Sequence, residues 1–389
     1  MKMKVNVYYA LVQCSYWMGY AALGGFTSAY LLNAGLDNGV IGIILAVAGA
    51  LAALVSPFVG QIIDRNERIN NKFVLLIMTG MVTVLSLLIS FWTGKPPLVE
   101  GILFGAGTFI LLLSQPFTSA LAMATINSGY HLDFGPTRAM GALGYAVASA
   151  IIGQMTARFG ITLIPTVSAV LFFLTVIMLV IYPVKEKNEV IEQESNKTSA
   201  LEFLKKYKLF SVMLVGMTLL YFSHMLINTF VFQIIQTKGG DSDSMGIAIA
   251  IAAVCETFTM IFLNFYISKL KLYNIIRFSG ISFILKILLS FIVPNVGWFY
   301  VIQIFQMFGW GFLAPGMVVY VNELVEENDK AQGQAFAGMT LTFGNVFAAL
   351  FGGILIEAKG VNYMLVFGTI IAVLGSVVLW ISTKPTANK

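Results

Sequence analysis

Charge is what this 389-residue chain has least of: Asp, Glu, Lys and Arg together make up 11% of it. A soluble chain of that length needs far more charge to cover its surface, so the shortage excludes a water-soluble globular protein. Cysteine is nearly absent too. Cys14 and Cys255 both fall inside apolar runs, which argues against a disulfide framework or a metal site. No phosphate loop, nucleophile triad or metal-ligand cluster can be read, so no enzyme activity, cofactor or metal is expected. No signal peptide is expected either. Met1 to Val7 is followed by an apolar run too long for one and without a small-residue cleavage site, and it reads as the first membrane helix.

Apolar residues, by contrast, make up 58% of the chain, and the mean hydropathy is +0.86. Long apolar runs between short charged loops predict a polytopic helical membrane protein. Twelve runs are long enough to span, at roughly 8–33, 38–63, 73–93, 97–128, 138–158, 160–183, 208–236, 244–268, 274–293, 295–322, 332–357 and 361–382. With the N-terminus inside, the outer segments carry only Lys95, Arg158, Lys238 and Lys359, and nearly all other Lys and Arg fall on the inner side. That asymmetry predicts cytoplasmic termini in an inner (plasma) membrane. It also accounts for the net charge of +5 without a nucleic-acid partner.

The loop from Val184 to Lys208 is the long polar one, and it divides the runs six and six. Expected domains are 1–183, a linker at 184–207, and 208–389. Within the linker, Ser199 is placed to cap a short amphipathic helix, A-L-E-F-L-K-K-Y, lying at the membrane face. The six-and-six division suggests an internal repeat. Spans 5 and 11 fit it, since both are rich in Gly and Ala.

Candidate site residues are the polar groups inside the runs. The stretch D-F-G-P-T-R-A-M-G-A-L-G-Y brings Arg138 to the start of span 5. Gly141 and Gly144 leave a clear approach for a helix or a ligand, and Tyr145 adds an aromatic plane two turns on. Glu256 lies deep in span 8, where an unpartnered carboxylate costs about 2–4 kcal/mol, and Lys286 lies at the centre of span 9. In span 7, His224 has Tyr221 and Asn228 on its own face.

The loop after span 2, G-Q-I-I-D-R-N-E-R, resembles the G-x-x-x-D-R-x-G-R signature of the major facilitator superfamily. Gly60, Asp64, Arg65 and Arg68 match it, and Glu67 stands in place of its second glycine. F-G-P-T-R-A-M-G-A-L-G-Y is similar to the start of helix 5 in the lactose permease and oligosaccharide–proton symporter group, and to the nucleoside–proton symporters. The resemblance implies an all-α membrane protein of twelve transmembrane helices in two six-helix bundles, working by alternating access as a monomer in the lipid bilayer. It further implies a conformational gate at Gly60, Asp64, Arg65 and Arg68, with close helix packing at Gly60. Solute binding would fall to Arg138, Tyr145, His224, Asn228, Glu256 and Gln306, and proton coupling to Glu256, Lys286 and His224. Lys286 stands where that group has a buried arginine and would neutralise Glu256 or another acidic group when the cavity is empty. There are departures. On span 10, Gln306 replaces a coupling histidine and Gly309 a coupling glutamate, and span 4 lacks the carboxylate that pairs with the helix-5 arginine. The expected function is proton-coupled uptake of a small polar solute, a sugar or oligosaccharide. The alternatives are nucleoside–proton symport, or efflux of amphipathic drugs or lipids.

Overall fold

The computed structural model describes residues 2–66, 69–92, 96–183 and 199–384. Most of the linker, 184–198, and Arg68 of the expected gate lie outside them. The described residues are helical with no strand. Spans 2 to 5 are Asn38–Arg65, Asn71–Phe91, Pro97–Asn127 and Phe134–Phe159. Span 6 is the short turn Ile161–Leu163 continued by Ile164–Ile181. Spans 8, 9, 11 and 12 are Ser242–Lys269, Leu272–Ile292, Lys330–Lys359 and Val361–Ser382. Three spans are interrupted. Span 1 runs Lys2–Tyr20, a π-helical turn Ala21–Gly25, then Thr27–Asn33. Span 7 is Lys208–Thr229 and Val231–Thr237, and span 10 is Val296–Ile302, Phe305–Phe308 and Trp310–Leu324. Eleven helices among the described residues are long and apolar enough to cross a membrane. Span 1 is the exception because its first helix ends at Tyr20 and carries Lys4, Asn6 and Gln13 among its apolar residues. With it, the described residues form the twelve spans of a membrane protein.

Span 3 shows why these helices belong in lipid. Asn70 caps it by accepting the Phe73 N–H at 2.8 Å. Val74, Leu75, Met78, Val82 and Ile89 are buried at helical spacing, while Phe73, Ile77, Met81, Val84 and Leu88 are exposed. An outer face as apolar as the inner one is stable only where the surroundings are hydrocarbon.

The chain divides into two units, Met1–Gln193 with Asp241–Ala250, and Glu194–Gly240 with Ile251–Lys389. Each repeats the same devices. In the first, Lys72 at the start of span 3 donates to the carbonyl of Tyr182, at the end of span 6, at 2.7 Å. In the second, Arg277 in span 9 donates to the carbonyls of Trp380 and Thr383, at the end of span 12, at 3.1 and 2.6 Å. In both, a cation meets the negative end of a helix dipole. Close helix approach repeats as well. A Cβ on Gly144 of span 5 would lie 2.9 Å from the Cys14 carbonyl of span 1. On Gly344 of span 11 it would lie 2.8 Å from the Phe222 amide nitrogen of span 7. The open approach expected at Gly141 and Gly144 is therefore taken by span 1, not by a ligand.

Ser199 does cap a short helix, Ala200–Lys206, in a reciprocal capping box with Glu202. That helix does not simply lie on a surface. Phe203 is fully buried and stacks on Phe336 of span 11 at 5.3 Å. Lys206 pairs with Glu326 and with the buried Asp329, each at 2.8 Å, and Tyr207 donates to Asp329 at 2.8 Å. One aromatic residue on the inner face of the amphipathic turn is enough to draw it into the core of the second unit.

Candidate functional site

Each unit gathers a polar cluster among its spans, beside an interrupted span. In the first unit the sequence of span 1 places Tyr9, Gln13, Tyr16, Trp17 and Tyr20 three or four residues apart, on one face. Tyr9 donates to the Thr118 carbonyl at 2.9 Å, and Gln13 donates to the Tyr9 hydroxyl at 2.7 Å. The Trp17 indole N–H donates to Gln13 Oε1 at 3.0 Å. That chain fixes the indole, and the Arg138 guanidinium lies 4.3 Å from its ring centre. Tyr145 stands edge-on to Trp17 at 6.4 Å and tilted against Tyr20 at 6.3 Å. Arg138, Tyr145, Trp17 and Tyr20 are each half-buried. Gly25, in the π-helical turn, lies beside Tyr145: a Cβ there would sit in ordinary contact, 3.5 Å from the Tyr145 hydroxyl. Such turns inside helices often mark functional positions. The structure thus brings the expected pair Arg138 and Tyr145 into one box with two aromatic rings that span 5 alone does not reveal. The i, i+3, i+4 run of Tyr, Gln and Trp in an otherwise apolar span was the signal available.

In the second unit, Lys286 is 1% exposed and donates through Nζ to Gln306 Oε1 at 2.5 Å. Gln306 Nε2 lies 3.5 Å from Glu256 Oε2, a long contact. Glu256 Oε1 accepts the Trp310 indole N–H at 2.8 Å. His224 stacks on Trp310 at 5.0 Å with 18° between the planes, and Tyr221 meets the same indole edge-on. Asn228 Nδ2 is 2.9 Å from His224 Nε2. An amide nitrogen only donates, so Nε2 accepts and the neutral ring carries its hydrogen on Nδ1, which is buried with no protein partner. All five expected residues of this half, His224, Asn228, Glu256, Lys286 and Gln306, fall in one network. Gln306 bridges Lys286 and Glu256, hydrogen-bonded to the first and in long contact with the second. Trp310 is a functional candidate that the sequence alone does not mark. It follows Gly309, whose backbone (φ −82°, ψ −86°) breaks span 10. A Cβ on Gly309 would lie 3.1 Å from the Phe305 carbonyl and 3.3 Å from the Phe283 ring, so no carboxylate side chain fits there without rearrangement.

The gate residues are less gathered. Nothing lies within 4 Å of a Cβ built on Gly60, so the close packing expected there is not made. Arg65 ends span 2 and is exposed. The Asp64 side chain, like Arg68, is outside the described residues. No group of three or more His, Cys, Asp or Glu among the described residues could hold a metal ion.

Buried polar clusters beside interruptions in otherwise apolar spans are the arrangement of secondary transporters, in which broken helices free backbone and side-chain groups for a solute. The comparisons agree: this is a membrane transporter of the major facilitator type. The chain belongs to the MFS_1 like family, whose model matches residues 9–367. It is 22% identical over 396 residues to the uncharacterized transporter YwbF of Bacillus subtilis (strain 168), covering 100% of this chain and 96% of that one. It is 29% identical over 154 residues to the "Probable 3-phenylpropionic acid transporter" of Escherichia coli (strain K12), covering 39% of this chain and 38% of that one. The crystal structure of a point mutant of the nucleoside transporter NupG superposes with a TM-score of 0.81 at 17% identity, covering 98% of this chain and 100% of the other. That of a bacterial homologue of the iron transporter ferroportin, in an inward-facing state, gives 0.74 at 14% identity, covering 99% and 100%.

Proposed function

We propose that this protein is a proton-linked importer of a small hydroxylated ring solute, and that a nucleoside fits better than a sugar. The observation that carries the reading is the buried chain from Lys286 through Gln306 to Glu256 and Trp310, with His224 stacked on the indole. It joins a protonatable carboxylate to amide and ammonium groups that suit ribose hydroxyls, and to flat aromatic surface that suits a base. The fold shared with a nucleoside transporter supports the same choice. In this reading the termini are cytoplasmic, Glu256 carries the proton, and Arg138 and Tyr145 contact the solute. The test is uptake of labelled uridine and labelled lactose into proteoliposomes, with and without an inward proton gradient. Gradient-driven accumulation of uridine supports the proposal; lactose accumulation alone returns the sugar reading, and gradient-independent uptake removes the proton.

A second reading has its own observation. A guanidinium over Trp17, flanked by Tyr20 and Tyr145, also suits an aromatic carboxylate, with the fork on the carboxylate and the ring in the box. The partial match to a transporter named for 3-phenylpropionic acid points the same way. Adding that acid as a competitor in the uridine assay separates the two.

A further inference from the structure

Hydrogen-bond polarity in the second cluster has a consequence for Lys286. An ammonium has only donors, so Gln306 must turn its oxygen to Lys286 and its NH2 toward Glu256. That arrangement suits an ionised carboxylate, which only accepts. Glu256 Oε1 is already taken by the Trp310 N–H. A proton that bonds to Oε2 along the Gln306 contact puts an O–H against an N–H, donor against donor. Turning the amide over gives that O–H an acceptor, but then the NH2 faces the Lys286 ammonium. One amide cannot serve a protonated Glu256 and a charged Lys286 together.

We propose that Gln306 is a positioning residue whose amide polarity transmits the protonation of Glu256 to Lys286. When Glu256 takes its proton, Lys286 gives up the amide. Lys286 and Gln306 are 1% and 4% exposed, so the released ammonium has little water to turn to. An oxygen of the solute supplies the acceptor, and proton and solute then bind together. The other titratable groups around Glu256 are Cys255 beside it on span 8, His224 stacked on Trp310, and Tyr221 edge-on to the same indole. Gln306 is hydrogen-bonded to Lys286 and in long contact with Glu256. The inference rests on the proton-linked reading above.

The test needs no substrate. The infrared carbonyl absorption of protonated Glu256 is followed against pH in lipid-reconstituted protein and assigned by its loss in Glu256→Gln. Lys286→Met is expected to move the midpoint by about one to two pH units, the size of one charge-assisted hydrogen bond. In a Gln306→Met background the same change is expected to move it by less than half as much, because the connection is gone. Gln306→Asn keeps an amide too short to span both partners; it is expected to lose the coupling likewise and serves if the Met variant does not fold. Equal displacement by Lys286→Met in all backgrounds means that Lys286 acts through space, and overturns the relay while leaving Glu256 as the proton carrier. No titrating band at all overturns both.

Discussion

Helix packing allows a graded prediction that does not depend on the solute. Three glycines inside spans differ in what a methyl group would meet. At Gly80 in span 3 nothing lies within 4 Å. At Gly101 in span 4 the new carbon would come within 2.7 and 2.8 Å of the terminal methyls of Leu36 and Ile44, which can swing aside. At Gly144 in span 5 it would come within 2.8 Å of Cys14 Sγ and 2.9 Å of the Cys14 carbonyl oxygen, which moves only if span 1 moves. Alanine improves helix propensity by about 1 kcal/mol at each position, and overpacking against fixed atoms costs about 1–3 kcal/mol. Gly80→Ala is therefore expected to be more stable than the native protein and Gly101→Ala close to it. Gly144→Ala is expected to be less stable than the native protein by up to about 2 kcal/mol. Cys14→Ala added to Gly144→Ala removes the sulfur contact but not the carbonyl one, so rescue should be partial. Thermal unfolding of the native protein and the four variants in one detergent, followed by loss of the monodisperse peak on gel filtration, gives the order. Solute binding should weaken in Gly144→Ala, because displacing span 1 carries Trp17 away from Arg138. If Gly144→Ala is as stable as Gly80→Ala, the backbone contact between spans 1 and 5 is not as described and the aromatic box loses its support.

Arg138→Lys keeps the charge but loses the planar fork and its stacking on Trp17; solute affinity should fall by about tenfold or more with normal insertion, read by a binding titration. Tyr145→Phe should bind nearly as the native protein does and Tyr145→Ala poorly, whereas equal losses would assign the contact to the hydroxyl. Outside the membrane, hydrogen bonds from Lys206 to Asp329 and then to Glu326 raise its pKa above the ordinary lysine value. A raised cation stabilises fully below its unfolded pKa and fades only as pH rises through the folded one. Lys206→Met should therefore lower thermal stability relative to the native protein at pH 6 and pH 8 alike, with the difference closing only in strong alkali; a difference that closes by pH 8 would refute the pairing. A membrane-impermeant thiol reagent should reach a cysteine at Lys238 in intact cells but not one at Lys205, and the reverse pattern would invert the proposed orientation.

The two site clusters were unequally legible, for a physical reason. Glu256 and Lys286 stand out in the sequence because an ionisable group deep in an apolar run is costly unless something receives it. Arg138 and Tyr145 stand out through the resemblance of their stretch to known symporters. Trp17, Tyr20 and Trp310 do not, because an aromatic residue in a membrane helix is equally at home against lipid, against another helix or beside a solute. Only its neighbours in space separate these cases. Gly309 reads in the sequence as the loss of a glutamate, and in the structure it is the break that lets Trp310 turn its N–H to Glu256.

Composition and the spacing of apolar runs were enough, by themselves, to determine a twelve-span helical membrane protein, because hydrocarbon admits few other solutions for so apolar a backbone. The tertiary structure alone decided which partners the buried charges took. Lys286 is bonded to Gln306, twenty residues away, and Glu256 to Trp310, fifty-four residues away. Helical periodicity relates residues three or four apart, and it cannot say which faces of two distant helices meet. Packing settled that here, through glycines that let spans 1 and 5, and 7 and 11, come within backbone distance.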